Sequence, residues 1–270
     1  MKETRMQLAT CLKWSICTAI SLTTAIGIAQ NPDKKTVKKN KWQTQYQPLE
    51  FNGLPFRVMP PIEIEKGKTY PLILSLHGAG GTGTNNNKQL KDWNKQLAVP
   101  ERRKEFPCYV VAPQAPGLWN ADHLEKIQGY IKTLPSVDMD RIYIMGHSMG
   151  GHGTYIFIQL APDYFAAAAP SAGSGLRRTE EFINPSKIKD IPIWSFHGDS
   201  DRVCPIEKDR ELFAKLKQLG GVMKLTTWVG GTHAVSDKMI PGAENGKTQS
   251  SSERCNPETD FMTWLFSQSK

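Results

Sequence analysis

Six short apolar runs, separated by turns and by amphipathic stretches, constrain this chain more than any other feature. They are residues 70–76 (YPLILSL), 108–112 (CYVVA), 141–145 (RIYIM), 165–169 (FAAAA), 191–196 (IPIWSF) and 224–229 (KLTTWV). Continuous apolar runs of this length fit strands buried on both faces. Helical patterns lie between and after them. Residues 205–219 open on Pro205, carry Glu207 and Asp209 early, place Leu212, Phe213 and Leu216 on one stripe, and stop at Gly220. Residues 257–267 space Phe261, Met262, Leu265 and Phe266 as a helix does. Strands bounded by helices predict an α/β domain with a mostly parallel central sheet flanked by helices. Residues 51–59 are expected to add an antiparallel edge strand. A chain of 270 residues with 39% hydrophobic and 22% charged content has room for one such domain, and its composition excludes collagen, coiled coil and polytopic membrane classes.

The front end reads differently. Lys2, Arg5 and Lys13 precede an uncharged apolar run over 14–29, and Gly27 and Ala29 supply small residues before a cut at Gln30. This is the secretory pattern, so residues 1–29 are expected to be a signal peptide and the protein secreted or periplasmic. The 16-residue run is short for a membrane span; removal leaves no stable span, and retention as an anchor is the alternative. Residues 30–48 read as a polar linker and 49–270 as the catalytic domain. The net charge of +8 is concentrated here: residues 2–13 carry +2 and residues 33–41 carry +4, leaving +2 for the rest. Basic residues so placed do not form a folded face, and no nucleic-acid partner is expected. Cys11 and Cys17 leave with the signal. Of the remainder, Cys108 sits in an apolar run, and Cys204 and Cys255 lie in polar surroundings that allow a Cys204–Cys255 disulfide in an oxidising compartment.

The chemistry sits where strands end. Gly146-His147-Ser148-Met149-Gly150 fits G-x-S-x-G between a strand and a glycine-rich helix start, the setting a nucleophilic serine on a tight turn requires. Ser148 needs a base. Among six histidines, His233 follows the last strand in a Gly-Gly-Thr-His turn and is the candidate. His77 and His197 end strands and read as loop-orienting groups; His147 points away from the serine, and His123 reads as surface. The orienting acid is Asp201, with Asp199 as the alternative. One oxyanion donor is the Met149 amide; the other comes from the loop after the first strand, Ala79 or Gly78. No H-E-x-x-H, paired C-x-x-C or EF-hand spacing occurs, so neither metal nor cofactor is expected.

The four strand-end motifs, His77 to Gly81, Gly146 to Gly151, His197-Gly198-(x)₂-Asp201 and Gly230 to His233, together resemble the α/β-hydrolase superfamily over about residues 50–270. The nearer likeness is to the secreted phospholipase/carboxylesterase-like branch, sometimes labelled "predicted peptidase", close to polyhydroxybutyrate depolymerases and feruloyl or acetylxylan esterases. The resemblance implies an α/β-hydrolase fold and a Ser148, Asp201, His233 triad. It also implies that Ala112-Pro113-Gln114 forms a loop beside the site, making Gln114 a substrate-side candidate. A dienelactone-type hydrolase would want a cysteine nucleophile, which Ser148 argues against. The sequence departs from the branch after His233, where no aromatic follows and residues 238–256 form a long polar stretch, either a rim loop or an inert insertion.

Residues 171–190 are too few for a helical lid domain. An open cleft follows, suited to a soluble or polymer-attached ester. Trp119 is a candidate platform for a sugar or aryl group, or packs under its own loop. A peptidase with the same triad, an acyl transferase and a non-catalytic binding protein on the same scaffold are the rivals.

Overall fold

The computed structural model describes residues 41–176, 181–242 and 244–270. The expected signal segment and the start of the linker, residues 1–40, lie outside the described residues. After a 3-10 turn at Lys41–Gln45, the chain runs β1 (Gln47–Phe51), β2 (Leu54–Met59), β3 (Tyr70–Leu76), α1 (Asp92–Leu97), α2 (Pro100–Glu105), β4 (Tyr109–Pro113) and α3 (Ala121–Ile131). There follow β5 (Val137–His147), α4 (Met149–Leu160), β6 (Ala167–Ser171), α5 (Pro185–Ile188), β7 (Ile193–Gly198), α6 (Glu207–Gln218), β8 (Met223–Trp228), β9 (Lys247–Ser250) and α7 (Phe261–Phe266).

The nine strands form one sheet in the order β1-β2-β4-β3-β5-β6-β7-β8-β9. The pairings from β4 through β3, β5, β6 and β7 to β8 are parallel; β1–β2, β2–β4 and β8–β9 are antiparallel. Period-two alternation divides the strand side chains between two cores. Leu72, Leu74 and Leu76 of β3 and Ile142 and Ile144 of β5 pack with Leu124 and Ile127 of α3, Tyr155 and Phe157 of α4, and Leu212 and Leu216 of α6. Ile73, Tyr143 and Met145 face the other way, onto Trp93 and Leu97 of α1 and Phe261, Trp264 and Leu265 of α7. Both faces are therefore covered, which is why these strands read as unbroken apolar runs.

Two expectations change at the edges. Residues 51–59 form the turn and second strand of a hairpin, because Asn52 (φ 49°) and Gly53 (φ 74°) adopt the left-handed pair that a two-residue hairpin turn demands. Its first strand, β1, and the preceding 3-10 turn take up residues 41–48 that read as linker. Tyr46 anchors them: its ring is fully buried and its hydroxyl donates to the Asn94 carbonyl at 2.7 Å. At the opposite edge, the 238–256 stretch is neither rim loop nor inert, because it supplies β9 to the sheet. Thr226 of β8 and Thr248 of β9 bridge the pair through their hydroxyls at 2.7 Å. Among the described residues no helix is long and apolar enough to cross a membrane.

Strand order reverses at β3, with β4 on one side and β5 on the other. Loops leaving β3 and β5 at their carboxyl ends diverge there and open a crevice, the usual ligand position in open parallel sheets.

Candidate active site

Ser148 stands between β5 and α4 with φ 58° and ψ −121°, a strained conformation for a residue with a side chain. The turn holds because its neighbours have no Cβ. A Cβ on Gly146 would lie 2.5 Å from the Gly150 carbonyl oxygen, and one on Gly150 would lie 2.0 Å from that of Leu76. The Ser148 side chain does not cap its own helix. It meets the His233 ring, with Oγ 2.9 Å from Nε2. The other ring nitrogen, Nδ1, lies 2.7 Å from Asp201 Oδ2. Ser148, His233 and Asp201 thus form one continuous hydrogen-bonded chain across residues up to 85 apart in sequence.

The loops that carry Asp201 and His233 are pressed together. A Cβ on Gly198 would lie 2.2 Å from the Gly231 carbonyl oxygen, and the Ser200 amide donates to that oxygen at 2.8 Å. Asp199, the alternative acid, instead shapes this turn, accepting from the Gly230 amide at 2.7 Å. Asp201 Oδ1 accepts from the Val203 and Cys204 amides at 2.7 and 2.9 Å. Burial alone would raise the Asp201 carboxyl, but hydrogen bonds from His197, His233 and these amides outweigh it and hold it well below the usual carboxylate range.

Both expected oxyanion donors stand at helical first positions. Met149 opens α4, and Ala79 opens a 3-10 turn at Ala79–Gly81; amides there have no acceptor within their own helix. Gly78 sets the close approach, since a Cβ on it would lie 3.0 Å from the His147 carbonyl oxygen and 3.5 Å from Ser148 Cβ. The His77 ring fixes this loop, with Nδ1 2.8 Å from the Gly78 carbonyl oxygen and Nε2 accepting from the Ala115 amide at 3.0 Å. Burial pushes His77 down to about 4, so the ring is neutral at neutral pH.

The two substrate-side expectations are corrected. Trp119 is 2% exposed, packs against His77, His123 and Phe157, and donates through Nε1 to the His77 carbonyl at 3.2 Å. It lies beneath the loop and offers no platform. Gln114 is fully buried, donating to the Gly81 carbonyl at 3.0 Å and accepting from the Asn86 amide at 2.6 Å. It ties the end of β4 to the loop that follows β3. His123 is buried against Trp119 and is not surface. The three cysteines Cys108, Cys204 and Cys255 are all buried. Cys204 lies beyond the carboxyl end of β7, where its carbonyl meets His197, whereas Cys255 Sγ donates to the Met223 carbonyl at the opposite end of β8. The length of the sheet separates them, so no bridge forms.

The motif reading missed three groups. The His147 ring packs against His233 at a 44° tilt with centroids 4.8 Å apart, and its Nδ1 lies 3.0 Å from Ser171 Oγ. Burial, and next the neighbouring His233, lower it to about 3. His197 lies behind Asp201 and joins Asp209 of α6 in a buried cluster. Asp209 had a readable signal: it shares the 209, 212, 216 face with Leu212 and Leu216, an acid on an otherwise apolar stripe. Among the described residues no group of three or more His, Cys, Asp or Glu side chains is arranged to hold a metal ion.

Residues 115–263, more than half of the chain, match the model of the dienelactone hydrolase family. This corrects the sequence argument against that assignment. A serine on the same elbow uses the same base and acid as a cysteine would, so Ser148 does not exclude membership. Among curated proteins, the chain is 25% identical over 218 residues to the uncharacterized peptidase YuxL of Bacillus subtilis (strain 168), covering 66% of this chain and 33% of that protein. It is 30% identical over 152 residues to feruloyl esterase B of Piromyces equi, covering 50% of this chain and 27% of that protein. The chain therefore spans about a third or less of the length of these relatives. Among solved structures, a thermostable esterase superposes with a TM-score of 0.70 at 30% identity, over 85% of this chain and 64% of that one. An acylaminoacyl peptidase with a TM-score of 0.56 at 19% identity shares the fold, over 72% of this chain and 38% of that one.

Proposed function

Because the chain belongs to the dienelactone hydrolase family and is an esterase-like hydrolase of α/β-hydrolase fold, we propose that it is an exported serine hydrolase of carboxylic esters. The observation that carries this reading is the Ser148–His233–Asp201 hydrogen-bonded chain on a strained strand-to-helix turn. His233 takes the Ser148 proton at Nε2 as Oγ attacks the ester carbonyl. The Met149 and Ala79 amides receive the oxyanion. Asp201 holds the Nδ1 proton and stabilises the imidazolium. His233 then gives its proton to the leaving alcohol. Water, activated by the same ring, cleaves the acyl-enzyme and restores Ser148.

The substrate class is an aryl, carbohydrate-linked or polyester ester. The likeness to a feruloyl esterase supports an aryl or carbohydrate-linked acyl group, and the esterase of TM-score 0.70 supports ester over amide. Between Ser171 and Asp190 the described residues hold only the four-residue α5, which is in keeping with an open cleft and an attached substrate. A second reading, a peptidase with the same triad, is favoured by the likeness to YuxL. Export rests on the residues 1–29 pattern.

The test is fluorophosphonate labelling and p-nitrophenyl acetate turnover of the wild type beside Ser148→Ala. Labelling and turnover lost together in the variant are expected. Folded wild-type protein that takes no label would overturn the catalytic reading, and peptide cleavage faster than ester cleavage would promote the peptidase.

A further inference from the structure

Directly behind the candidate acid lies a second ionic pair that the reaction as written does not use. His197 ends β7 and Asp209 sits in the first turn of α6; both are fully buried. His197 Nδ1 lies 2.5 Å from Asp209 Oδ2. His197 Nε2 faces the Cys204 carbonyl oxygen at 2.8 Å and Asp201 Oδ2 at 3.3 Å. A carbonyl oxygen only accepts, so Nε2 carries a proton, and Nδ1 is left facing the Asp209 carboxyl group. The Asp209 carboxylate is equally well defined. Tyr155 donates to Oδ1 at 3.2 Å, and the Ser195 hydroxyl donates to Oδ2 at 3.1 Å. With His197 Nδ1, three polar groups converge on this one carboxyl group.

Resting on the serine-hydrolase reading above, we propose that His197 is a positioning residue of the reaction: an imidazolium held by Asp209 that grips Asp201 from the side opposite His233. The geometry has two consequences. Asp201 Oδ2 lies between two imidazoles, at 2.7 Å and 3.3 Å, so His197 adds to the hold of the Val203 and Cys204 amides on the carboxylate. The positive ring also offsets part of the negative field that Asp201 projects onto His233.

The groups that face His197 are Asp209 from α6, Asp201 from the loop after β7, Tyr155 from α4, His147 from β5 and, beyond Asp201, His233. Burial drives His147 down and keeps it neutral near pH 7, and burial drives the Tyr155 phenol up and keeps it neutral too. Asp201 stays ionised. For His197, burial opposes charging, but Asp209 and the hydrogen bonds to Asp201 and Asp209 exceed it and raise the ring to about 10. His147, Tyr155 and Asp201 therefore each keep one protonation state between pH 5 and 10.

The direct experiment is ¹⁵N imidazole NMR of the folded wild-type chain at pH 8, with His197 identified through bonds to its backbone. Both ring nitrogens protonated is the expected result; a neutral His197 ring overturns the proposal. The kinetic experiment compares the pH profile of kcat/KM for p-nitrophenyl acetate in the wild type, His197→Gln, and the double variant His197→Gln/Asp209→Asn, which keeps a hydrogen bond between the sites without either charge. The acid limb is expected to move up by about one unit in the variants relative to the wild type, so that the loss is roughly tenfold greater at pH 6 than at pH 9. A loss equal at every pH marks a merely structural residue and overturns the proposal, as does an unmoved limb. The NMR result is read on wild-type protein, so a variant that fails to fold leaves the ring state decisive. Turnover that survives Ser148→Ala would remove the catalytic reading, and an imidazolium ring in that same variant would show that the pair itself stands.

Discussion

Replacing Gly150 by alanine tests the physical basis of the site with one methyl group. The new Cβ would lie 2.0 Å from the Leu76 carbonyl oxygen, 2.8 Å from its carbon and 3.0 Å from the His77 carbonyl oxygen. All three are backbone atoms, so no side chain can swing aside. An ordinary contact needs about 3.5 Å, and α4 must therefore move from the end of β3 by roughly 1–1.5 Å. Overpacking of this kind costs about 1–3 kcal/mol. At about 2–4 °C per kcal/mol for a domain of this size, the melting temperature should fall by roughly 2–12 °C. Activity should suffer more. The same displacement separates the Ser148 elbow and the Met149 amide from the Gly78–Ala79 loop, and a misplacement of about 1 Å at a reacting centre costs roughly 10²-fold. Thermal unfolding by circular dichroism and kcat/KM for p-nitrophenyl acetate measure the two effects. Gly117→Ala is the control, because a Cβ there meets nothing within 4 Å. A Gly150→Ala protein that melts and turns over like the control would refute the claim that this close approach builds the site.

The buried histidines make stability depend on pH from both sides. His77 and His147 are held neutral in the fold, at about 4 and about 3, so their contribution is complete above the ordinary value of about 6.5 and is lost as pH falls through those values. Asp201, held low, adds to the loss at the acid end. His197, raised to about 10, acts oppositely: its contribution is complete below about 6.5 and is lost as pH rises to about 10. The melting temperature should peak between these limits, and one that still climbs from pH 7 to pH 10 would count against a charged His197. Alkylation of the denatured, unreduced protein followed by peptide mapping should find Cys108, Cys204 and Cys255 all modified; a linked Cys204–Cys255 peptide would contradict the separation described above.

Some of this architecture was legible residue by residue. The apolar runs gave six strands of the sheet because a strand covered on both faces leaves no polar position to confuse the period. The elbow was legible because its constraint is local: Gly146, Gly150 and Gly151 flank a serine between a strand and a helix, and each glycine answers a close backbone approach. The hairpin turn at Asn52-Gly53 also carried a local signal, although its register did not show. Trp119 and Gln114 misled for a physical reason. Large amphipathic side chains in a loop read alike whether they face a ligand or tie the loop down, and here both use their polar atoms on the backbone of residues 77–86.

The sequence by itself determined six strands of the sheet, the glycine-flanked turn around Ser148 and a short set of candidate acids and bases, because these follow from patterns within a few residues. Only the tertiary structure decided how those groups meet. The contact of His233 with Ser148 spans 85 residues, and the choice between Asp199 and Asp201 turns on which carboxylate faces the His233 ring when Gly198 packs against Gly231. The charged His197–Asp209 pair and the neutral His147 likewise owe their states to burial and to partners on other elements. A protonation state is set by what surrounds a group in space, and the linear order of residues carries that information only after the chain has folded.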